Sequence, residues 1–213
     1  RLSGTPRDLS RPARYRAIVN CGKPVPDMKV EIRGENDEVK GDLQIGKVWC
    51  HGPSVMHSYF RNPEATADCL VNGWLDTGDM GYMADGYLFI VGRAKDMIII
   101  NGKNHWPQDI EWAVEQLPGF NHGDIAAFAV ETDNGEEAPA VLVHCRVSDP
   151  EERVRLRDQI SDKVRSVTGM SCVVELVPPR TLPRTSSGKL SRAKAKKLYL
   201  SGEIQPLQLL EAA

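Results

Sequence analysis

The chain has 213 residues, of which 41% are hydrophobic and 26% charged, a composition that supplies a core and excludes a disordered or charge-dominated chain. Lys plus Arg number 27 against 29 Asp plus Glu, so there is no chain-wide positive field for nucleic acid, and any basic surface has to be local. The length fits one compact unit or two small ones, and two small ones are expected.

The first twenty residues carry Arg1, Arg7, Arg11, Arg14 and Arg16 among Gly4, Pro6 and Pro12 without periodicity, which reads as a solvated connecting segment rather than a phosphate-binding arm. From Cys21 to about Gly92, β-prone runs (29–33, 47–52, 87–92) alternate with Gly, Pro, Asn and Asp, the pattern of a small antiparallel sheet or barrel. Asp85-Gly86 between β-prone flanks predicts a hairpin, because both turn residues tolerate positive φ.

Beyond Lys95 strands and helices alternate, and a boundary is expected there. A short strand at 97–100 is followed by a helix opened by Pro107 and stopped by Pro118-Gly119, with Ile110, Val114 and Leu117 on one face. The runs 125–131 and 140–147 flank a polar turn and read as antiparallel neighbours. Asp149 caps a helix with Pro150 at its first position, whose Val154, Ile160, Val164 and Val167 recur at helical spacing up to Gly169. A strand at 172–177, a loop rich in Pro, Thr and Ser, and a basic helix over 190–200 complete the chain.

Five scattered cysteines (Cys21, Cys50, Cys69, Cys145, Cys172) form no CxxC pair, which suits a reduced, cytoplasmic protein. The histidines (His51, His57, His105, His122, His144) fall at no zinc-site spacing, so no structural metal is expected. Apolar runs such as 97–100 fall far short of the roughly 20 residues a membrane span needs. The chain begins at Arg1 rather than Met and is read as part of a longer polypeptide with no signal peptide at residue 1.

Two segments carry chemistry. In PRTSSGKLSR (183–192) a Ser-Gly turn presents Lys189 just before a helix. A Walker loop fails here, because Pro183 stands where its first Gly is required and Leu190 where a hydroxyl would hold magnesium. Taken alone, a lysine in such a loop is more often a surface charge than a phosphate-handling group. The second segment is WLDTGDMGYMADGYLFIVGRAKDMIIINGKNHWPQDIE (74–111).

Together, TGD, GRAKDMI and PRTSSGK, in this order and spacing, resemble the adenylate-forming superfamily of acyl-CoA synthetases, luciferases and peptide-synthetase adenylation domains. IIINGKNHWPQDIE looks most like the fatty acyl-AMP ligases, and the similarity runs from about Cys21 to Arg192. The resemblance implies an α+β fold. A small antiparallel β-barrel-like subdomain, 1–94, would close a large amino-terminal adenylation domain. A mobile carboxy-terminal lid, 95–213, would follow, with an antiparallel sheet flanked by helices and a hinge at about Lys95.

The same resemblance implies a role for each matching residue. Asp79 would accept hydrogen bonds from both ribose hydroxyls, its competing reading being a turn aspartate that satisfies its own backbone. Arg93 would reach the ribose or the α-phosphate, its competing reading being a surface ion pair. Lys189 matches the catalytic lysine that bridges the attacking carboxylate and the α-phosphate of ATP. Gly102 and the run through Asn104, His105 and Trp106 would line a channel for the incoming pantetheine thiol, or else serve only the turn and the helix start.

The implied activity is ATP- and Mg2+-dependent conversion of a fatty or related carboxylic acid to acyl-AMP. The acyl group would then pass to the phosphopantetheine thiol of an acyl carrier protein or polyketide synthase carrier domain. CoA is the alternative acceptor. The magnesium ligand, phosphate loop and acyl tunnel belong to a region absent from these residues, so the 213 residues alone are expected to be inactive. Two positions depart from the family pattern: Lys47 where relatives commonly have Glu, and Asp76 where Arg is common. A competing class of function is a non-catalytic binding module in which Arg192, Lys194, Lys196 and Lys197 grip an acidic partner or nucleic acid.

Overall fold

The computed structural model describes residues 18–100, 102–132 and 134–209, so the arginine-rich segment 1–17 lies outside the described residues. The chain divides into two compact units, Arg1–Lys95 and Asp96–Ala213, and its fold class is α+β.

The first unit is a five-stranded antiparallel sheet of β1 (Lys29–Arg33), β2 (Gly46–His51), β3 (Leu70–Val71), β4 (Trp74–Ala84) and β5 (Tyr87–Arg93), with order β1-β2-β4-β3 and β5 also paired to β4. Asp85 and Gly86 take φ of 52° and 77° in the β4–β5 turn, the left-handed pair that the hairpin expectation requires. Ile32, Val48, Trp49, Tyr82, Ala84 and Val91 are buried. Tyr82 and Phe89, partners across the β4–β5 ladder, stack at 5.0 Å, and the Arg33 guanidinium lies over both Trp49 and Trp74. A short helix, α1 (Pro63–Cys69), escaped the sequence reading although Asn62 caps it by accepting from the Ala65 amide and Pro63 opens it.

In the second unit a two-stranded hairpin, β6 (Ile98–Ile100) and β7 (Lys103–His105), leads into α2 (Pro107–Glu115). β8 (Ile125–Glu131), β9 (Glu137–His144), α3 (Pro150–Thr168), β10 (Val173–Val177) and α4 (Arg192–Leu200) follow. Side chains of the β10-β9-β8 sheet alternate between two cores. Ile125, Ala127, Val141, Val143, Val174 and Leu176 pack with Ile110, Val114, Ile160 and Val164 of α2 and α3. Ala126, Phe128, Ala140, Leu142 and Val177 pack with Leu182, Ala195 of α4 and Ile204. The sheet is therefore sandwiched between α2 and α3 on one face and α4 on the other.

The antiparallel expectation holds for β8 and β9 and stops at β10, which runs parallel to β9. The physical reason is the connection: a 19-residue helix separates β9 from β10, and a helical crossover returns a strand in the same direction, whereas antiparallel neighbours can be joined by a short turn. α3 begins as expected, with the Asp149 carboxylate accepting from the Glu151 amide, and ends at Gly169 in the left-handed conformation, φ 78°. α2 stops at Glu115, so Leu117 packs on the core from beyond the helix.

Candidate active site

The loop carrying Lys189 is a miniature hairpin. Arg184 and Leu190 form an antiparallel bridge, the Gly188 amide donates to the Thr185 carbonyl at 2.9 Å, and the Thr185 amide donates to the Lys189 carbonyl at 2.7 Å. Gly188 has φ of 80°, with open space where a Cβ would stand, so the turn depends on glycine for its backbone conformation rather than for room. The Lys189 amide donates to Thr185 Oγ1 at 3.1 Å. Both backbone groups of Lys189 are thus held by Thr185, while its side chain is exposed and has no hydrogen-bond or ion-pair partner among the described residues. The feet of the loop, Leu182 and Leu190, pack into the core beside α4.

A two-point ion pair fixes the far end of the segment. Glu111 of α2 accepts from the Ala127 amide at 3.0 Å, on the edge of β8 that β9 does not cover, and from Arg192 at 2.7 and 2.6 Å. Arg192 also lies 3.6 Å from Asp96. The same carboxylate therefore closes a free sheet edge and pins the first residue of α4.

In the first unit, Asp79 and Arg93 are register partners across the β4–β5 ladder, with Arg93 Nε 2.9 Å from Asp79 Oδ1. The turn-aspartate alternative falls to Asp76, whose carboxylate accepts from the Gly78 amide at 2.8 Å. Thr77 supports the same stretch, donating to the Val48 carbonyl and accepting from the Asp79 amide. The Asp79 side chain is 27% exposed, and its Oδ2 has no hydrogen bond among the described residues. Arg93 is half-exposed in the ion pair that its competing reading anticipated. Lys95 is exposed in a one-turn 3-10 helix, Ala94–Asp96.

The run 102–106 makes the β6–β7 turn and the entry to α2. Gly102 is exposed at φ 70° with nothing within 4 Å of a notional Cβ. Asn104 is exposed opposite Ile99, and Trp106 precedes Pro107 as the N-cap without a side-chain hydrogen bond. His105 Nε2 and Gln108 Oε1 are buried without a hydrogen-bond partner among the described residues. Burial pushes the His105 imidazole below its ordinary range, Lys103 adding to the effect and Asp109 opposing it. The structure thus brings Asp79 and Arg93 together in the first unit and gathers Lys189, Glu111 and Arg192 on linked elements of the second. Among the described residues, no three His, Cys, Asp or Glu side chains cluster to hold a metal ion.

Residues 102–197 match the family described as the AMP-binding enzyme C-terminal domain. This chain carries such a domain. It is 46% identical over 191 residues to a Caulobacter vibrioides protein named as an acyl-CoA synthetase, covering 89% of this chain and 33% of that protein. Identity to the long-chain-fatty-acid–AMP ligase FadD26 of Mycobacterium marinum is 33% over 203 residues, covering 86% and 34%. Among solved structures, one from a study of fatty acyl-adenylate ligases from E. coli and L. pneumophila superposes with a TM-score of 0.78 at 42% identity, covering 90% of this chain and 34% of that one. The McyG A-PCP structure, complexed with phenylalanyl-adenylate, superposes with a TM-score of 0.77 at 30% identity, covering 87% and 34%. The chain spans about a third of the length of these relatives.

Seen as an AMP-binding C-terminal domain, the second unit corrects one sequence expectation. Arg192 does not belong to an exposed basic patch: its side chain is 19% exposed and committed to Glu111. Lys194 and Lys197 remain exposed on α4. In the first unit, the two departures from the ligase pattern meet, Lys47 of β2 lying 3.8 Å from Asp76 of β4. An acid replaced by a base and a base replaced by an acid leave a cross-strand pair of opposite charges in place.

Proposed function

We propose that this chain is part of an ATP-dependent ligase that converts a fatty or related carboxylic acid to acyl-AMP, with Lys189 as its catalytic lysine. The observation that carries this reading is the state of Lys189: backbone fastened at both groups, side chain exposed and without a partner among the described residues, on a loop whose two ends are anchored. An ammonium so held can be delivered to a site where a carboxylate and a phosphate must approach each other, and stabilising that charge is worth roughly 3–4 kcal/mol in comparable sites. Asp79 supplies the acceptor for the ribose hydroxyls through its free oxygen, and Arg93, by holding the other oxygen, orients it and lies near the same nucleotide. Lys95, between the two units, is the hinge at which the second unit turns. Gly102, Asn104, His105 and Trp106 border the path of the thiol that accepts the acyl group.

Mg2+ accompanies ATP in this reading, with its ligands in the remainder of the ligase. We assign the protein to fatty-acid metabolism in the cytoplasm. The five cysteines are free thiols, and no helix among the described residues is long and apolar enough to cross a membrane.

The acceptor is the phosphopantetheine thiol of an acyl carrier protein or carrier domain; this rests on the likeness to the FadD26 ligase and to the fatty acyl-adenylate ligase structure. The name of the Caulobacter relative favours a second reading, with CoA as acceptor. Single-turnover transfer from preformed acyl-AMP, run by the complete ligase with carrier protein and with CoA, distinguishes them: the first reading expects carrier to be acylated and CoA to stay free. The 213 residues alone are expected to give no ATP–pyrophosphate exchange, and exchange from pure segment contradicts this division of the site.

A further inference from the structure

Beneath the Lys189 loop, among the described residues, lies a linked set of buried polar groups with no part in the chemistry proposed above. The amide of Leu182, at the foot of the loop, donates to His144 Nε2 at 3.1 Å. A backbone amide can only donate, so Nε2 carries a lone pair and the ring proton sits on Nδ1, 3.3 Å from Asp124 Oδ1. His144 is 4% exposed and Asp124 5%. Asp124 is held by Arg146 at 3.0 and 3.4 Å and by the Asn121 amide at 3.0 Å, and its carbonyl accepts from the His144 amide at 2.8 Å.

A second fastening runs alongside. Arg184 donates to the Gly123 carbonyl at 3.1 Å and to the Gly188 carbonyl at 3.0 Å. The turn before β8 is therefore tied to the base of the loop through His144 and to the residue preceding Lys189 through Arg184.

We propose that Asp124 and His144 form a positioning device for Lys189, in which neutral His144 anchors the Leu182 amide and its protonation releases the foot of the loop. This rests on the reading of Lys189 as the catalytic lysine. A protonated ring would set Nε2–H against the Leu182 N–H, donor facing donor in a buried place, and one of them would have to turn away. The charged groups that face the ring are Asp124 from the turn before β8, Arg146 from just beyond β9 and Arg184 from the loop. Burial pushes the imidazole below its ordinary range. Asp124 pulls it up, Arg146 and Arg184 push it down, and the net effect is downward. The bond from the Leu182 amide to Nε2 requires the neutral ring, and the anchor is lost as the medium becomes acidic.

The test has two arms. In the 213-residue chain, imidazole 15N shifts are expected to report the Nδ1–H tautomer, and amide exchange at Leu182 is expected to speed up about tenfold or more in His144→Phe, with partial recovery in His144→Gln, which restores an acceptor. A protonated Nε2 at pH 7.5, or unchanged Leu182 exchange in His144→Phe, overturns the anchor whatever Lys189 does.

In the complete ligase, His144→Phe is expected to lower kcat for acyl-AMP formation about 10- to 100-fold with little change in KM for ATP, as misplacement of a catalytic group does. The wild-type rate should fall with acid through a pKa below the ordinary histidine value, and His144→Gln should flatten that limb. In a Lys189→Ala background His144→Phe should change the residual rate less than about twofold, because a group acting through Lys189 cannot act without it. An equal loss in both backgrounds overturns positioning in favour of general destabilisation. An undiminished rate in Lys189→Ala itself sinks the functional reading and the catalytic half of this proposal, while the exchange result still decides the anchor.

Discussion

Glu111 and Arg192, 81 residues apart, meet through two parallel hydrogen bonds of 2.7 and 2.6 Å, and the same carboxylate accepts the Ala127 amide at the edge of β8. The two segments that carry the ligase resemblance are thereby bolted together: one contributes the glutamate, the other the arginine three residues after Lys189. Glu111→Ala leaves a largely buried guanidinium with only its 3.6 Å contact to Asp96, and breaking such a pair on one side costs up to about 3 kcal/mol. Urea unfolding should show that loss, and a Glu111→Met/Arg192→Met double variant should recover much of it. A single variant as stable as wild type would mean that the pair is slack in solution.

Gly188 is expected to be replaceable by Asn with little effect, since Asn tolerates the left-handed region, whereas Gly188→Val should cost about 1–2 kcal/mol locally and shift Lys189. With open space around the notional Cβ, the difference is purely conformational. Acyl-AMP formation by the complete ligase should fall in the valine variant and persist in the asparagine one; equal activities contradict the turn assignment.

Lys47 and Asp76 should behave as a weak cross-strand pair. Lys47→Glu alone is expected to destabilise by up to about 1 kcal/mol, Asp76→Arg by more because it also loses the bond from the Gly78 amide, and the double exchange to lose less than the sum of the two. Thermal unfolding of the four proteins in low salt checks this, and additive losses in the double variant refute the pairing.

The pH dependence of the second unit has a definite sign. Burial works to raise the Asp124 carboxyl, but hydrogen bonds from Arg146, the Asn121 amide and His144 outweigh it and pull it down to about 2. A depressed carboxyl contributes stability that is present above its ordinary pKa and lost as pH falls toward 2; His144, also depressed, contributes stability lost as pH falls below the ordinary histidine range. Glu175, raised by burial, works the other way around its own titration. The informative quantity is therefore the difference between wild type and Asp124→Asn/His144→Gln. That difference should shrink from pH 7.5 to pH 3, and a constant gap contradicts the linkage.

The local elements were legible because their signals are local. Alternation gave the strands, Asp85-Gly86 the hairpin, and Asp149-Pro150 with Gly169 the bounds of α3. The parallel direction of β10 was readable in principle, since a long helix between two strands implies a crossover, but the composition of the strand itself says nothing about direction. The competing reading of Asp79 is a turn aspartate; it lies instead in the 11-residue β4 opposite Arg93 of β5, and residues 77–79 fall in the irregularity between the Lys47–Met80 and Trp49–Asp76 pairs with β2.

The candidate site divides along the same line. The exposure of Lys189 follows from a Ser-Gly turn, a local feature. Arg192 was misread as part of a charged face because its partner stands 81 positions away, and no periodicity reports a pairing at that distance. His144 on an apolar strand gave no sign of its role, which arises only where the Leu182 amide and Asp124 close around the ring.

The most direct test is ATP–pyrophosphate exchange by the complete ligase with Lys189→Ala, alongside its circular dichroism and urea midpoint. The expected result is a fold and stability like wild type, because the Lys189 side chain is exposed and makes no hydrogen bond or ion pair among the described residues, and a rate lower by about 10²–10³-fold, as for loss of one preorganised charge-stabilising group. Exchange at the wild-type rate would contradict the assignment of the chemistry to this lysine.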